Sequence, residues 1–232
     1  MVSKTRMIEL VKAFDWKAVD AALQESPDLM AWRDERGRNW LHLVCATELK
    51  PGREAHNSVR TAEVLRRHGF DVSEPAFLEG TWKATPVWFC VSRGQNLVLA
   101  KWLLNEGADP NHALWAAGFR DDLDAIRLLV RFGADIDPVT EDETPFLGAI
   151  KTSHFKAAAE LLRLGADVNF VDPKGMTALH YMLKKDSDKA HFGSLIKAGA
   201  KGDIPGPDGQ TARQIMRRKK DPDFKAMAEM LA

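Results

Sequence analysis

Residues 163–169 read Arg-Leu-Gly-Ala-Asp-Val-Asn, and this phrase decides the fold because it recurs along the chain. Related copies stand at 66–72, 105–111 and 131–137, and a degraded copy stands at 197–203. Their glycines, at positions 69, 107, 133, 165 and 199, are separated by 38, 26, 32 and 34 residues. Self-similarity at such a period indicates a repeat architecture, in which each short unit buries its apolar face against the next one.

A second phrase keeps step with the first. It occurs at 39–42, 85–88, 112–115, 144–147 and 177–180, with a weaker copy at 211–214. The Thr or Asn that opens most copies can cap a helix, and a following Pro suits the first helical position. The glycine of the first phrase ends the next helix because it adopts left-handed backbone easily. The pattern predicts helices near 5–13, 17–25, 40–48, 58–67, 86–93, 96–105, 113–118, 122–131, 145–151, 155–163, 178–184, 188–197, 211–219 and 223–231.

Together the two phrases resemble the Thr-Pro-Leu-His start and the Gly-Ala-Asp-Val-Asn end of the ankyrin repeat. The resemblance covers nearly the whole chain. It implies an all-α ankyrin-repeat solenoid of stacked helix-turn-helix repeats with short β-hairpin fingers. It also implies one domain, 1–232, made of an N-terminal capping repeat (1–33), five repeats (34–74, 75–111, 112–138, 139–171 and 172–205) and a C-terminal capping repeat (206–232).

Two departures from the family pattern concern the loops. The repeat at 34–74 carries a polar insertion near 49–57, which we expect to lie on the surface between its helices. Asn111 runs directly into His112, so the repeat at 112–138 lacks room for a full finger. The missing finger either accommodates a partner's protruding element or is a tolerated loss.

The resemblance further implies that a protein partner docks on the concave face formed by fingers and inner helices. Carried over position by position, the partner-binding residues are Arg36, Arg38, Trp82, Ser92, Arg93, Phe119, Arg120, Glu141, Glu143, Lys151, Lys174 and Met176. Other matching positions are Glu35, Thr81 and Ala84 in fingers and Thr47, Thr152, Lys184 and Lys185 at inner-helix ends.

Trp82 is the sharpest single candidate and Phe119, next to the missing finger, is the second, because large aromatic side chains often anchor interfaces. Trp82 either stands at a finger tip or folds back onto the neighbouring finger, and Phe119 either faces a partner or packs locally. Trp88 and Trp115 occupy the position where the repeat usually has His, which puts its hydrogen-bond network in doubt there. A ligand platform is conceivable at these two residues, but core packing between repeats is the favoured interpretation.

Catalytic and metal-binding motifs do not emerge. The histidines lack the i, i+4 spacing of a zinc helix, there is no Cys-x-x-Cys, and Cys45 and Cys90 lie in apolar runs. His42 and His180 stand at the repeat's own His position and are interpreted as structural. We therefore predict no cofactor, no metal and no enzyme. An alternative is an enzyme or enzyme subunit with a site near the central gap, which a pocket joining His56, Asp121 and His154 would favour.

Composition narrows the class of partner. The chain has 232 residues with 33 basic and 33 acidic side chains, so its net charge is zero and long-range attraction to nucleic acid is not expected. The basic run at 217–220 leaves open a nucleic-acid-associated protein, although the solvated end of a capping helix is favoured. No apolar run reaches membrane-spanning length. We expect a cytoplasmic monomer that binds protein and not membrane.

Overall fold

A computed structural model describes residues 1–52, 54–80 and 82–232 of the chain. It divides into a first unit, Met1–Ala116 with Arg131–Ala134, and a second unit, Ala117–Val130 with Asp135–Ala232. The α-helices described are α1 Lys4–Ala13, α2 Trp16–Glu25, α3 Trp40–Ala46, α4 Ala55–Arg67, α5 Pro86–Phe89, α6 Leu97–Asn105, α7 Leu114–Phe119, α8 Leu123–Arg131, α9 Pro145–Lys151, α10 Phe155–Arg163, α11 Ala178–Lys184, α12 Phe192–Lys197, α13 Ala212–Arg218 and α14 Pro222–Met230.

Every predicted helix is present, and the departures are local. The helix α4 begins at Ala55, so part of the 49–57 insertion extends a helix and the rest is loop; Arg53 lies outside the described residues. The helix α5 continues as a π-helical turn, Cys90–Gly94, and α12 is preceded by a 3-10 turn, Lys189–His191. A further 3-10 segment is Pro27–Ala31. None of the helices in the described part of the chain is long and apolar enough to cross a bilayer.

The odd-numbered helix of each hairpin is called its inner helix, and the even-numbered one its outer helix. The inner helices begin as the sequence predicts, with a side chain that accepts a hydrogen bond from the third helical N–H; these caps are Asn39, Thr85, Thr144 and Thr211. Pro86 and Pro145 follow two of them at the first helical position. The second phrase therefore sets where each hairpin starts.

Most of the helices end in a left-handed residue followed by a long backbone hydrogen bond, the Schellman arrangement, whereas α2, α3, α13 and α14 do not. At the outer helices α4, α6, α8, α10 and α12 this residue is a glycine, and the next residue can donate back to the helix, as Ala166 does to the carbonyl of Leu161 at 3.0 Å. Inner helices use other residues in this conformation: Phe14, Gln95, Asp121, Ser153 and Asp186. The first phrase marks the outer turn, whereas the inner turn carries no glycine signal.

Each unit buries apolar side chains of its helices. In the first unit Trp40, Leu41 and Leu103 are fully buried, and the indole N–H of Trp40 donates to the Leu29 carbonyl at 2.7 Å. In the second unit Phe146 of α9 and Phe192 of α12 are likewise buried. These residues come from the apolar stripes of the repeat, so burial follows its period.

The fingers are short. Strands β1 (Leu78–Glu79) and β2 (Trp82–Lys83) pair antiparallel, with Glu79 opposite Trp82. Two later fingers are reduced to single bridges, Thr140 with Glu143 and Pro205 with Thr211. Residues 109–113 form a turn without a strand, at the position where the sequence leaves no room for a finger.

Within the second unit, Glu160 joins two outer helices. It is 7% exposed and accepts hydrogen bonds from Arg163 of its own helix at 2.6 and 3.0 Å and from Arg127 of α8 at 2.8 Å. These bonds, led by the one from Arg163, lower the pKa of Glu160 from 4.5 to about 2. The ionised carboxylate therefore stabilises the packing of α8 against α10.

We expect the stability advantage of wild type over Glu160→Gln to depend on pH. Because the pKa of Glu160 is depressed in the folded state, its contribution is complete above about pH 4.5 and is lost as pH falls toward 2. Urea unfolding at several pH values should show Glu160→Gln less stable near neutrality, with the difference shrinking below pH 4.5. A difference that stays constant from pH 7 to pH 2.5 would contradict this.

Candidate functional site

The left-handed turn that follows five of the described inner helices places comparable side chains at one position. Two residues before the left-handed residue stand Lys12 and Arg93 in the first unit and Phe119, Lys151 and Lys184 in the second. A cation is favoured at a helix C-terminus by the helix dipole, so local stability accounts for the basic residues. It does not account for Phe119, which is 49% exposed.

In the second unit these turns form a continuous edge, here called the inner rim: Phe119, Lys151, Ser153, His154, Lys184 and Lys185. The rings of Phe119 and His154 meet edge to face with centroids 5.7 Å apart. The ammonium of Lys185 donates to the carbonyl of Lys151 at 2.8 Å and to the hydroxyl of Ser153 at 2.9 Å. Each repeat of the rim is thus tied to the next by a ring contact or a hydrogen bond.

A polar network supports the rim from the finger side. Glu143 accepts a hydrogen bond from Lys151, whose ammonium also lies 5.3 Å from the centroid of the Tyr181 ring. The hydroxyl of Tyr181 donates to Asp172. Burial tends to raise the pKa of Asp172, but hydrogen bonds from Tyr181 and the Met176 N–H outweigh it, and the pKa is lowered. The pKa of Tyr181 is raised, first by burial and then by this hydrogen bond.

The predicted partner-binding residues of the first unit differ in how exposed they are. Trp82 is half-buried against Phe77 and Trp88, with ring centroids 5.5 and 4.9 Å away, and its indole N–H donates to the His112 carbonyl at 3.2 Å. The ring is therefore turned toward its own repeat and toward the turn at His112, where the next finger is missing. Arg38 is held by Asp34 at 2.7 Å. Arg36 and Arg93 are exposed, whereas Ser92 is half-buried and Ala84 is buried. Thr81 lies outside the described residues.

The histidine network of the repeat is kept where His is present. The Nδ1 of His42 accepts from the Asn39 N–H at 3.1 Å, and its Nε2 lies 2.8 Å from the Glu74 carbonyl. Burial lowers the pKa of His42 to about 4, so the ring is neutral near pH 7. His180 makes the same pair of contacts, with Nε2 3.3 Å from the Gln210 carbonyl. Both histidines have the structural role that their motif position predicts.

Two residues of the second unit do not occupy the exposed positions predicted for them. Met176 is 9% exposed and lies between the left-handed turn at Gly175 and the buried cap Thr177. Glu143 is equally buried and is engaged by Lys151. Glu141, Lys174, Phe119 and Arg120 are exposed, and Lys151 is half-buried. Sequence reasoning named Lys184 and Lys185 but did not assign His154 or Tyr181 to the partner surface, because their contacts with Phe119 and Lys151 join different repeats.

The other chemically suggestive groups have structural partners. Arg217 pairs with Glu229 at 2.9 Å and Lys219 with Asp186 at 2.8 Å, so the basic run at 217–220 is dispersed, as expected for the end of a capping helix. Burial raises the pKa of the Cys90 thiol, which makes it a poor nucleophile. Within the described ranges, no group of three His, Cys, Asp or Glu side chains is arranged to hold a metal.

A groove of about 450 Å³ lies on the outer helices α2 and α4 of the first unit. Trp16 and Val64 line it together with Arg60, Glu63 and Arg67. The guanidinium of Arg60 already covers the Trp16 ring, 5.6 Å from its centroid. Its charges are of both signs, and its aromatic floor is in contact with the chain's own cation, so the groove is not a ready ligand site.

Comparison with known proteins agrees with this architecture. Residues 113–205 match the family model "Ankyrin repeats (3 copies)". Ankyrin repeat and SOCS box protein 6 of Mus musculus is 37% identical over 101 residues, which are 38% of this chain and 24% of that protein. The aligned segment therefore spans about a quarter of that relative.

Solved structures show the same fold. The ankyrin repeat domain of human ASB11 superposes with a TM-score of 0.72 at 19% identity, covering 100% of this chain and 99% of that one. The ankyrin repeat domain of Bcl-3, a member of the IkappaB protein family, gives 0.73 at 18% identity, covering 99% and 100%. Residues 113–205 therefore carry ankyrin repeats, and the chain as a whole has the ankyrin-repeat fold.

Proposed function

We propose that this chain is a non-catalytic protein-interaction module whose partner docks on the inner-helix side of the second unit, along the inner rim. The observation that carries the proposal is Phe119, an aromatic side chain that is 49% exposed. The other repeats with this left-handed turn place Lys or Arg at the same position. Aromatic side chains flanked by polar groups are the usual anchors of protein interfaces.

The rim also has the order that a docking surface needs. Lys185 is fixed by two hydrogen bonds to the preceding repeat, and Lys151 is fixed by Glu143 and the Tyr181 ring. A surface that is already ordered loses little conformational entropy on binding. Ankyrin repeats and the matched relatives support protein binding as the kind of function; the choice of the inner rim rests on the geometry of Phe119.

Replacing Phe119 by alanine is expected to weaken partner binding about 30-fold, the equivalent of about 2 kcal/mol for a lost anchor. The measurement is affinity capture from cells with tagged wild-type protein, identification of the main partner, and titration of that partner against each variant. Val98→Ala is the matched control, since Val98 is an exposed apolar residue, 44% accessible, on the outer helix α6.

The affinity for the partner should therefore fall in Phe119→Ala and stay unchanged in Val98→Ala. Equal affinity of wild type and Phe119→Ala, or an equal loss in Val98→Ala, would exclude the inner rim as the docking surface. Helical circular dichroism of each variant shows that the fold is retained, because both side chains are substantially exposed.

A further inference from the structure

Two lysine side chains of the inner rim stand outside the ion pairs of the described residues. Lys184 and Lys185 are exposed at the end of α11, and no carboxylate among the described residues lies within ion-pair distance of either ammonium. Both hydrogen bonds of the Lys185 ammonium go to uncharged oxygens, the Lys151 carbonyl and the Ser153 hydroxyl. Nearby Lys151 and Lys219, in contrast, are paired with Glu143 and Asp186.

This charge is local and does not reflect a basic protein. The chain has equal numbers of acidic and basic side chains, so the two lysines are not part of a general excess. Opposite charge on a partner would be attracted to this part of the rim and would be aligned by it, which is how charge complementarity gives specificity and a faster encounter.

Acidic groups close by decide between two kinds of anionic partner. Asp186 follows the two lysines directly and Asp188 stands two residues further on, and Glu141 and Asp142 are exposed in a finger of the same unit. A nucleic-acid backbone carries dense, regular negative charge and would meet these carboxylates. A peptide with a few spaced carboxylates can place them on the lysines only and can lay an apolar side chain on Phe119.

We infer that the inner rim takes an acidic, extended peptide segment of a protein partner, with carboxylates at Lys184 and Lys185 and an apolar side chain against Phe119 and His154. The inference rests on the proposed function, because it names the partner chemistry of the same surface. Lys184 and Phe119 lie at the same position of their turns, in repeats separated by the one that carries Lys151. The segment therefore crosses successive repeats.

The test uses the full chain and a fluorescein-labelled peptide of glutamates interrupted by one leucine, with binding followed by fluorescence anisotropy. We expect Lys184→Glu to weaken binding about fivefold, as for reversal of an exposed interface charge. Lys197→Glu is the matched control, because Lys197 is the exposed last residue of α12 in the same repeat but on the outer helix. This control should bind like wild type.

Three outcomes would overturn the inference. They are equal binding of a lysine peptide with the same leucine, equal loss in the two lysine variants, and tighter, Lys184-dependent binding of a single-stranded oligonucleotide of similar length. The partner captured from cells separates this inference from the proposed function. If Phe119→Ala releases that partner while Lys184→Glu and added salt do not, the rim remains the docking surface and only its acidic specificity fails.

Discussion

Replacing Trp40 by alanine is expected to lower the free energy of unfolding by about 3–5 kcal/mol, the range for truncating a large buried aromatic residue. Trp40 is the first residue of α3 and is 0% exposed. Its ring stacks on Trp32 with centroids 3.9 Å apart, and its indole N–H satisfies the Leu29 carbonyl. Alanine would leave a cavity between the first two hairpins and an unpaired carbonyl.

Urea unfolding followed by helical circular dichroism measures this loss. Trp40→Phe is the control that separates packing from hydrogen bonding, because it keeps an aromatic ring but has no N–H for Leu29. We expect it to cost about 1–3 kcal/mol, the cost of leaving a buried acceptor unsatisfied. A loss below about 1 kcal/mol for Trp40→Ala would mean that α3 is not packed as described.

The second large effect is expected for Gly94→Ala, which should destabilise the first unit by about 1–3 kcal/mol or more through overpacking. A Cβ atom at Gly94 would lie 2.1 Å from the carbonyl oxygen of Cys45 and 3.4 Å from that of Thr47. Both neighbours are backbone atoms at the end of α3, so no side-chain rotation can relieve the clash. The π-helical turn and α3 would have to move apart.

Gly193→Ala is the matched control, a glycine inside α12 whose added Cβ would meet nothing within 4 Å in the described structure. Alanine favours the helix over glycine there, so stability should be unchanged or rise by about 0.5–1 kcal/mol. The same urea experiment applies. A Gly94→Ala protein as stable as wild type would show that the close approach of Gly94 to α3 is incorrect.

The helices were predictable because their boundaries are set by capping residues and glycines in the adjacent sequence. Asn39, Thr85 and Thr144 cap inner helices through their own side chains, and glycines such as Gly165 end outer helices in left-handed backbone. Such signals need only a few neighbouring residues. The π-helical turn was not predicted. It contains one more residue than the equivalent turns, because the Asn96 N–H donates to the Cys90 carbonyl six positions back, whereas the His154 N–H donates to the Ala149 carbonyl five positions back.

The candidate surface was predictable only in part, because side-chain direction depends on distant residues. The motif places Trp82 in a finger, but its contact with the His112 carbonyl, 30 residues away, turns the ring inward. Met176 also belongs to a finger by motif and is nevertheless buried. Phe119 was identified from its position in the repeat alone. Its contact with His154 depends on a left-handed turn at Ser153, and the sequence has no glycine there that would predict such a turn.

Site-specific photo-crosslinking tests the central claim, that a protein partner lies on the inner rim. The photoreactive residue p-benzoylphenylalanine would replace Phe119 in one protein and Val98 in another, and each would be irradiated with the captured partner. The account predicts a covalent adduct from position 119 and none from position 98. An adduct from position 98 alone would place the partner on an outer helix and would contradict the account.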